Sequence, residues 1–367
     1  MDKNISLKTT MALSLLMGAT AMSSVAQAGP VLKVDDTKWI SIGAGLRTSF
    51  ASVEKAAPNG SDRSKDFSVE SMRLYVNGQV HKDIKFTFNT EKDSSNGDSV
   101  RVLDAIARFE FSESFNVWMG RLLPPSDRSN LDGPYYLNAW NFPIVQNYPA
   151  IFAGRDDGIA VWGHGVGGKL KYQGGAFQGR DGGSNTSDSL LYAGRLTFNL
   201  WDAEPGYYNS SAYYGTKDIL AFGVVAMMQK DGAGTAVTQG DFTGWNLDAL
   251  MEKKMVGGGV LSLEGAYYDY DLDNVADASL VQGDGYLLLA AYLLPQKMGI
   301  GQLQPHIRFQ SFDSAGATDA RTRMELGVNY IIDGHDARGT LTFANDDPGT
   351  PASSSVNSIQ LGLQFQI

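Results

Sequence analysis

The sequence predicts an all-β protein, a transmembrane antiparallel β-barrel of 16 strands. Runs of about ten residues alternate apolar and polar side chains, which is the pattern of a strand with one face in lipid and the other in water. The chain holds 42 glycines and few helical patterns, and both features favour β-structure. After residue 28 the longest apolar run is Tyr286–Leu294, which is much shorter than the about 20 residues of a transmembrane helix.

The first 28 residues have the features of an export signal. Lys3 and Lys8 precede the mainly apolar run Met11–Ala21, and Ala26-Gln27-Ala28 matches an A-x-A cleavage site. We therefore expect residues 1–28 to be removed and residues 29–367 to form one barrel domain in the outer membrane of a Gram-negative cell. A buried N-terminal helix is the alternative interpretation of the same residues.

The alternation is clear in the first predicted strand, where Ile42 and Leu46 fall on one face and Gly43 and Arg47 on the other. The predicted total is even, as in single-chain outer-membrane barrels. The segments are Trp39–Ser52, Phe67–Gly78, Asp83–Glu91, Val100–Phe111, Phe115–Arg121, Asp157–Gly163, Gly168–Gln178, Leu190–Leu200, Ile219–Gln229, Gly244–Met255, Gly259–Tyr270, Gly285–Leu293, Gly301–Phe312, Arg323–Ile332, Ala337–Ala344 and Ser358–Ile367.

The lengths of the connections support this count. With both chain ends on the periplasmic side, odd connections face outward and are long, whereas most even ones are short turns such as Ser112-Glu113-Ser114. This asymmetry is typical of outer-membrane barrels. The even connection Trp201–Asp218 is unusually long. A soluble β-sandwich would also contain alternating strands, but it does not explain the difference between odd and even connections.

The longest connection, Leu122–Asp156, carries five of the twelve prolines and six aromatic side chains. A long loop without secondary structure is usually functional, and its aromatic surface is unfavourable in open water. We therefore expect it to fold inward as a constriction loop, narrowing a pore whose wall is the rest of the chain. We place the basic residues Arg121, Arg128 and Arg155 near the narrowest point.

Charged side chains that face the lumen determine which solutes a pore prefers. The early strands present a basic set to the lumen: Arg47, Arg73, Lys85, Arg108, Lys169, Lys171 and Arg195. Later strands present more acidic residues, so we predict a transverse field that favours small hydrophilic or anionic solutes. The alternative is that paired charges only brace the barrel.

Composition argues against several other classes of protein. Removing residues 1–28 leaves 28 basic and 39 acidic residues, a balance that disfavours nucleic acid as a partner. The absence of cysteine excludes disulfides and thiolate metal sites. The four histidines lack close ligand spacing, and Asp269-x-Asp271-x-Asp273 lacks the glycine and glutamate of a calcium loop. No cofactor or metal is predicted.

Four segments carry a resemblance to a known family. Val117–Pro125 runs through a glycine into prolines where the long loop starts, and Gly154–Ile159 contains a Gly-Arg-Asp exit from it. Tyr192–Leu196 contains an Ala-x-Arg strand, and Asn329–Asp336 matches a penultimate hairpin. In this order they resemble the phosphate-selective porin O and P family. The resemblance implies a homotrimeric outer-membrane channel in contact with lipid and lipopolysaccharide. The family's anion-binding members carry lysine-rich central sites, whereas Leu122–Asp156 contains no lysine.

The predicted function is passive diffusion of small hydrophilic solutes, preferably anions such as phosphate-like oxyanions or carboxylates. An outer-membrane hydrolase is the alternative from another class, and it needs a nucleophile and a base held together. His306 with nearby serines is the only candidate for such a pair. A third interpretation is a sheath around a partner protein, which an inward aromatic loop disfavours. We expect no catalysis.

Overall fold

The computed structural model describes residues 29–93, 99–350 and 354–367. The predicted export signal, residues 1–28, lies outside the described residues. Within the described ranges, no helix is both long and apolar enough to cross a membrane.

Strands make up most of the described chain. In order they are β1 Val31–Lys33, β2 Trp39–Val53, β3 Asp66–His81, β4 Ile84–Asp93, β5 Arg101–Ser112, β6 Phe115–Leu122, β7 Asp156–Gly165, β8 Leu170–Phe177, β9 Leu191–Asn199, β10 Ile219–Gly234, β11 Gln239–Lys254, β12 Val260–Asp271, β13 Gly283–Leu293, β14 Lys297–Met298, β15 Gly301–Ser314, β16 Arg321–Asp333, β17 Ala337–Asp347 and β18 Val356–Gln366. One helix, α1, spans Arg128–Asp132, and a short 3-10 turn spans Val166–Gly168.

The strands β2–β13 and β15–β18 form a closed antiparallel barrel, whereas β1 and β14 are short additions at its end. Each barrel strand pairs with its neighbours in sequence, and the last strand closes the ring on the first, with Leu361 opposite Phe50. Closure satisfies the backbone groups of both edges, which lipid could not do. The predicted fold class, a barrel of sixteen strands, is confirmed.

The barrel is polar inside and apolar outside. In β2 the side chains of Ile42 and Leu46 are exposed, whereas Ser41 and Arg47 are buried. In β18 Leu363 and Phe365 are likewise exposed around the buried Gln364. A charge on the lipid side at mid-membrane costs about 2–4 kcal/mol, so the alternation in the sequence determines which face of each strand points inward.

The predicted start of the seventh barrel strand was two residues too early. We expected a strand from Gly168, but β8 begins at Leu170. Gly168, the last residue of the 3-10 turn, has a φ of 81° in the left-handed region, and Lys169 caps the turn with helical φ and ψ. Lys169 is therefore exposed at the C-terminal end of a turn instead of lying on a strand.

Candidate functional site

Two long connections start at opposite ends of the barrel and contact each other. The first, residues 123–155, joins β6 to β7, and the second, residues 200–218, joins β9 to β10. Because neighbouring strands are antiparallel, the connections after the fifth and eighth barrel strands start at opposite ends. Both contain many buried residues; between Leu123 and Trp140 every residue except Tyr136 is buried.

The helix α1 begins the buried part of the first connection. Asp127 is its N-cap, and the Asp127 carboxylate accepts a hydrogen bond from the Ser129 backbone N–H at 3.0 Å, a typical capping arrangement. The same carboxylate accepts hydrogen bonds at 2.9 Å from the hydroxyls of Tyr148 and Tyr268. Tyr268 lies on β12, so Asp127 connects the loop to the barrel wall.

Charged residues join the two connections. The guanidinium of Arg128 donates two hydrogen bonds to the Glu204 carboxylate, at 2.8 and 2.7 Å, and one to the Ser210 carbonyl at 2.9 Å. Both charged side chains are 1% exposed. Ser211 donates a hydrogen bond to Asp132 nearby. A buried ion pair of this kind is held in one geometry, because removing either partner leaves an unpaired buried charge that strongly destabilises the protein.

Aromatic rings complete the contact between the connections and the wall. Tyr207 stacks on Trp118 of β6 with 4.7 Å between ring centroids and meets Trp162 of β7 edge-on at 5.9 Å. The Tyr207 hydroxyl donates a hydrogen bond to the Leu123 carbonyl at 2.8 Å. Such ring pairs add about 0.5–1.5 kcal/mol beyond the area they bury.

Backbone carbonyls of the first connection accept hydrogen bonds from arginines of the wall. Arg338 of β17 donates to Leu137 at 2.6 Å, Arg47 of β2 to Trp140 at 2.6 Å, and Arg308 of β15 to Asn141 at 2.9 Å. The Arg47 guanidinium also lies 3.9 Å from the centroid of the Trp140 ring. The wall arginines therefore hold the loop through its main chain.

Glycines on the polar face make room for these rings. A Cβ at Gly362 of β18 would lie 2.6 Å from the Trp140 ring, and one at Gly45 of β2 would lie 2.8 Å from the Tyr135 ring. Both distances are shorter than side chains tolerate, so glycine at these positions lets the loop approach the strands.

His335, in the turn between β16 and β17, joins both connections. Its Nδ1 lies 3.1 Å from the Tyr135 carbonyl and its Nε2 lies 2.8 Å from the Ala212 carbonyl. Burial, with a smaller effect from the nearby charge of Arg338, lowers the pKa of His335 to about 4. The ring is therefore neutral at pH 7 and donates only one of the two hydrogen bonds at a time.

This lowered pKa predicts a pH-dependent stability. The unfolded chain, with a histidine pKa of about 6.5, binds more protons than the folded chain between that pH and pH 4. The contribution of the neutral His335 ring to the free energy of unfolding is therefore complete above pH 6.5 and is lost as the pH falls towards 4. Relative to His335→Gln, the wild type should lose about 3 kcal/mol across this range. Thermal unfolding in detergent from pH 4 to 8 measures the difference.

The exposed His81 provides the control for this experiment. His81→Gln should follow the wild-type curve, because substitution of an exposed side chain usually changes stability little. Parallel curves for wild type and His335→Gln would contradict the assignment of the pH dependence to His335.

Most of the basic residues predicted for the ion pathway are buried or half-buried on the lumen side, and each has a partner. Arg73 pairs with Glu91, Lys85 and Arg108 pair with Glu110, Arg155 pairs with Asp104, and Arg195 pairs with Asp248. The amine of Lys171 donates to Asn209 at 2.5 Å and to the Gly206 carbonyl at 2.9 Å. Arg47 binds the first connection, and Arg128 joins the first connection to the second, as described above.

Two of the predicted residues lie elsewhere. Arg121 has the same strand parity as the exposed Met119, and it pairs with the exposed Asp157 at 2.7 Å. It therefore lies on the outward side at the end of β6, because the strand has not yet turned into the loop there. Lys169 donates hydrogen bonds to the Leu200 and Trp201 carbonyls at the opposite end of the barrel.

Some residues of the lumen were not selected from the sequence. Glu204 and Asn209 lie in a connection that was expected to face the periplasm, and Arg338 was not assigned to the pathway. The unusual length of Trp201–Asp218 could have indicated that Glu204 and Asn209 lie in the interior of the barrel. For Arg338 the signal was the alternation of its own strand, where Leu341 and Phe343 occupy the opposite parity. Within the described chain, no group of three or more histidine or carboxylate side chains could hold a metal ion.

Solved structures of outer-membrane channels are similar to this chain. An anion-selective porin from Comamonas acidovorans has a TM-score of 0.62 at 15% identity, covering 90% of this chain and 100% of that chain. The outer membrane channel DcaP of Acinetobacter baumannii has a TM-score of 0.59 at 12% identity, covering 93% and 100%. The trimer form of OmpT from Vibrio cholerae has a TM-score of 0.55 at 13% identity, covering 90% and 100%. These similarities show the fold.

Sequence comparison identifies the family. No curated protein matches the chain significantly. The family described as "Phosphate-selective porin O and P" matches residues 40–367, which is nearly the whole barrel. The closed barrel with its charged interior fits this match, and the chain belongs to the phosphate-selective porin O and P family.

Proposed function

We propose that this porin gives passive passage to small hydrophilic solutes with a preference for anions, such as phosphate-like oxyanions and carboxylates. The observation that carries the proposal is the meeting of residues 123–155 and 200–218 between inward-facing side chains. In this proposal the first connection is an inward constriction loop, and the second narrows the same lumen from the other end. Width and charge at this meeting point then select solutes.

Buried carboxyl groups favour anions over cations in this lumen. Burial raises the pKa of Asp132 well above its usual range, and burial next to the charge of Asp248 raises the pKa of Asp127. The raised pKa values lessen the tendency of these loop carboxyls to carry negative charge, whereas arginines stay charged at any physiological pH. The anion-selective porin from Comamonas acidovorans, which shares the fold, supports this direction.

Planar-bilayer recording tests both parts of the proposal. We expect discrete conductance steps and, in a salt gradient, a reversal potential of the anion-selective sign. Arg47→Ala with Arg108→Ala should reduce that potential, because two positive groups leave the lumen side of β2 and β5. The matched control is Lys33→Ala with Lys82→Ala, which removes two charges from exposed positions and should leave the potential unchanged.

The outcomes separate the two parts. A purified, folded protein without conductance would refute the pore, and a reversal potential of the cation-selective sign would refute the anion preference. Candidate phosphate and carboxylate blockers added to the same recording would narrow the solute class.

We further propose that residues 1–28 are a cleaved export signal and that residues 29–367 assemble as a homotrimer in contact with lipid and lipopolysaccharide. The trimer form of the structurally similar OmpT from Vibrio cholerae supports the assembly. The continuous apolar outer face of the barrel supports the contact with lipid. Mass spectrometry of the exported protein and cross-linking in native membranes test these two proposals.

A further inference from the structure

Arg338 is a buried arginine with an unused binding edge. Its side chain is 1% exposed, and its Nη1 donates a hydrogen bond to the Leu137 carbonyl at 2.6 Å. Among the described residues, its Nε and Nη2 atoms have no hydrogen-bond partner of normal geometry, and the hydroxyl of Tyr214, which interacts with this guanidinium, has no other partner. Buried donors are rarely left unpaired, because each one costs free energy.

The same edge of other arginines in this chain binds carboxylates. Arg73 uses Nε and Nη2 to hold both oxygens of Glu91 at 2.8 and 2.9 Å. Arg121 holds Asp157 in this way at 2.7 and 2.9 Å. The planar fork of the guanidinium matches the two oxygens of a carboxylate. At Arg338, no carboxylate of the described chain occupies this edge.

Positive charge also accumulates around Arg338. Gln364, its partner in the register of β17 and β18, lies opposite Arg47 of β2, so that the two arginines are separated by one strand. Arg47 is 4.0 Å from its nearest carboxylate, Glu70, and its Nε is unpaired among the described residues. The wall beneath residues 137–141 therefore presents two cations with free N–H groups and one distant carboxylate.

We propose that a solute carboxylate binds the Nε and Nη2 edge of Arg338 and displaces residues 137–141 from the wall. This inference rests on the proposed anion pathway. In the closed arrangement the carbonyls of Leu137 and Trp140 occupy part of this anion site, each through a single hydrogen bond. A carboxylate accepts two charge-assisted hydrogen bonds from one guanidinium, so it competes well against a neutral carbonyl. Displacing the stretch moves Trp140 and widens the passage.

A single engineered thiol reports this displacement, because the chain has no cysteine of its own. Ala139 is 2% exposed and packs with Leu289 and Ala291 of β13. In the folded Ala139→Cys protein in detergent, acetate should increase the rate of labelling by an uncharged maleimide by about tenfold over chloride at equal ionic strength. The labelling rate does not depend on conductance. The acetate response can therefore be absent in a protein that conducts, and it can be present in a protein that does not conduct.

Three further variants in the Ala139→Cys background define the site. Arg338→Gln and Arg338→Lys should both abolish the acetate response, the second because lysine keeps the charge but lacks the fork. Arg321→Gln, which removes an exposed arginine from the neighbouring strand β16, should retain the response. Persistence of folding in each variant is checked by heat-modifiable migration of the barrel on a gel.

Three results would overturn the proposal. Equal labelling rates in acetate and chloride would show that carboxylates do not displace the stretch. Acceleration by inorganic phosphate alone would show that the site takes a tetrahedral oxyanion instead of a carboxylate. A full acetate response in Arg338→Lys would refute binding to the guanidinium fork.

Discussion

Replacing Glu204 with glutamine is expected to release residues 200–218 from the loop and to raise the single-channel conductance. The change leaves the Arg128 guanidinium buried without a counter-charge, which costs about 3–5 kcal/mol for a buried pair. Because the pair joins two connections that belong to opposite ends of the barrel, this cost falls on their contact more than on the strands. Arg128→Gln should have a comparable effect, because it leaves the buried Glu204 carboxylate without a counter-charge.

Conductance in planar bilayers and thermal unfolding in detergent measure this effect. The double variant Arg128→Met with Glu204→Met should regain part of the stability, because it leaves no unpaired buried charge. Asp218→Asn is the matched control at the end of the same connection. It breaks a half-exposed pair with Lys253, so it should cost about 0.2–1 kcal/mol. Unchanged conductance and stability in Glu204→Gln would show that the pair does not hold the two connections together.

Replacing Trp118 with alanine is the second change for which we expect a large effect, about 3–5 kcal/mol in stability. Trp118 is 4% exposed and contacts Tyr207 of the second connection at 4.7 Å and Trp162 of β7 at 5.4 Å between centroids. Its ring also lies 4.8 Å from the Arg108 guanidinium. Its loss leaves a cavity between the wall and the connection, which cannot collapse because the barrel strands hold the wall in place.

Thermal unfolding and proteolysis of the folded protein measure the loss. Residues 200–218 should become sensitive to protease added from the periplasmic side, while the strands stay protected. Met119→Ala is the control, because Met119 is 60% exposed on the same strand and should affect neither result. A Trp118→Ala protein with wild-type stability and protection would contradict the docking of the second connection through these rings.

The strand pattern was predictable because each strand has one apolar and one polar face. Every predicted strand overlaps an observed one, from Trp39–Ser52 against β2 to Ser358–Ile367 against β18. The inward direction of Arg47, Arg73 and Arg195 followed from the same period of two. Closure was predictable as well, since the unpaired backbone N–H and C=O groups at the edge of the last strand have no other partner in lipid.

The arrangement inside the lumen was less accessible to sequence reasoning. Loop residues have no repeating period, so nothing local indicates whether Arg128 meets Glu204 or another carboxylate. The distance along the chain between such partners is long, and only the closed barrel brings their backbones together. The role of Trp201–Asp218 was missed for this reason, although its length was noticed.

By itself, the sequence determined the barrel, its strand number and which side chains face inward, because two-residue alternation and the cost of charge in lipid act locally. The tertiary structure alone decided the pairing of each lumen charge, the meeting of residues 123–155 with 200–218, and the unused edge of Arg338. Those features depend on which distant side chains share one enclosed space. Pair energies there depend on distances that no local pattern encodes.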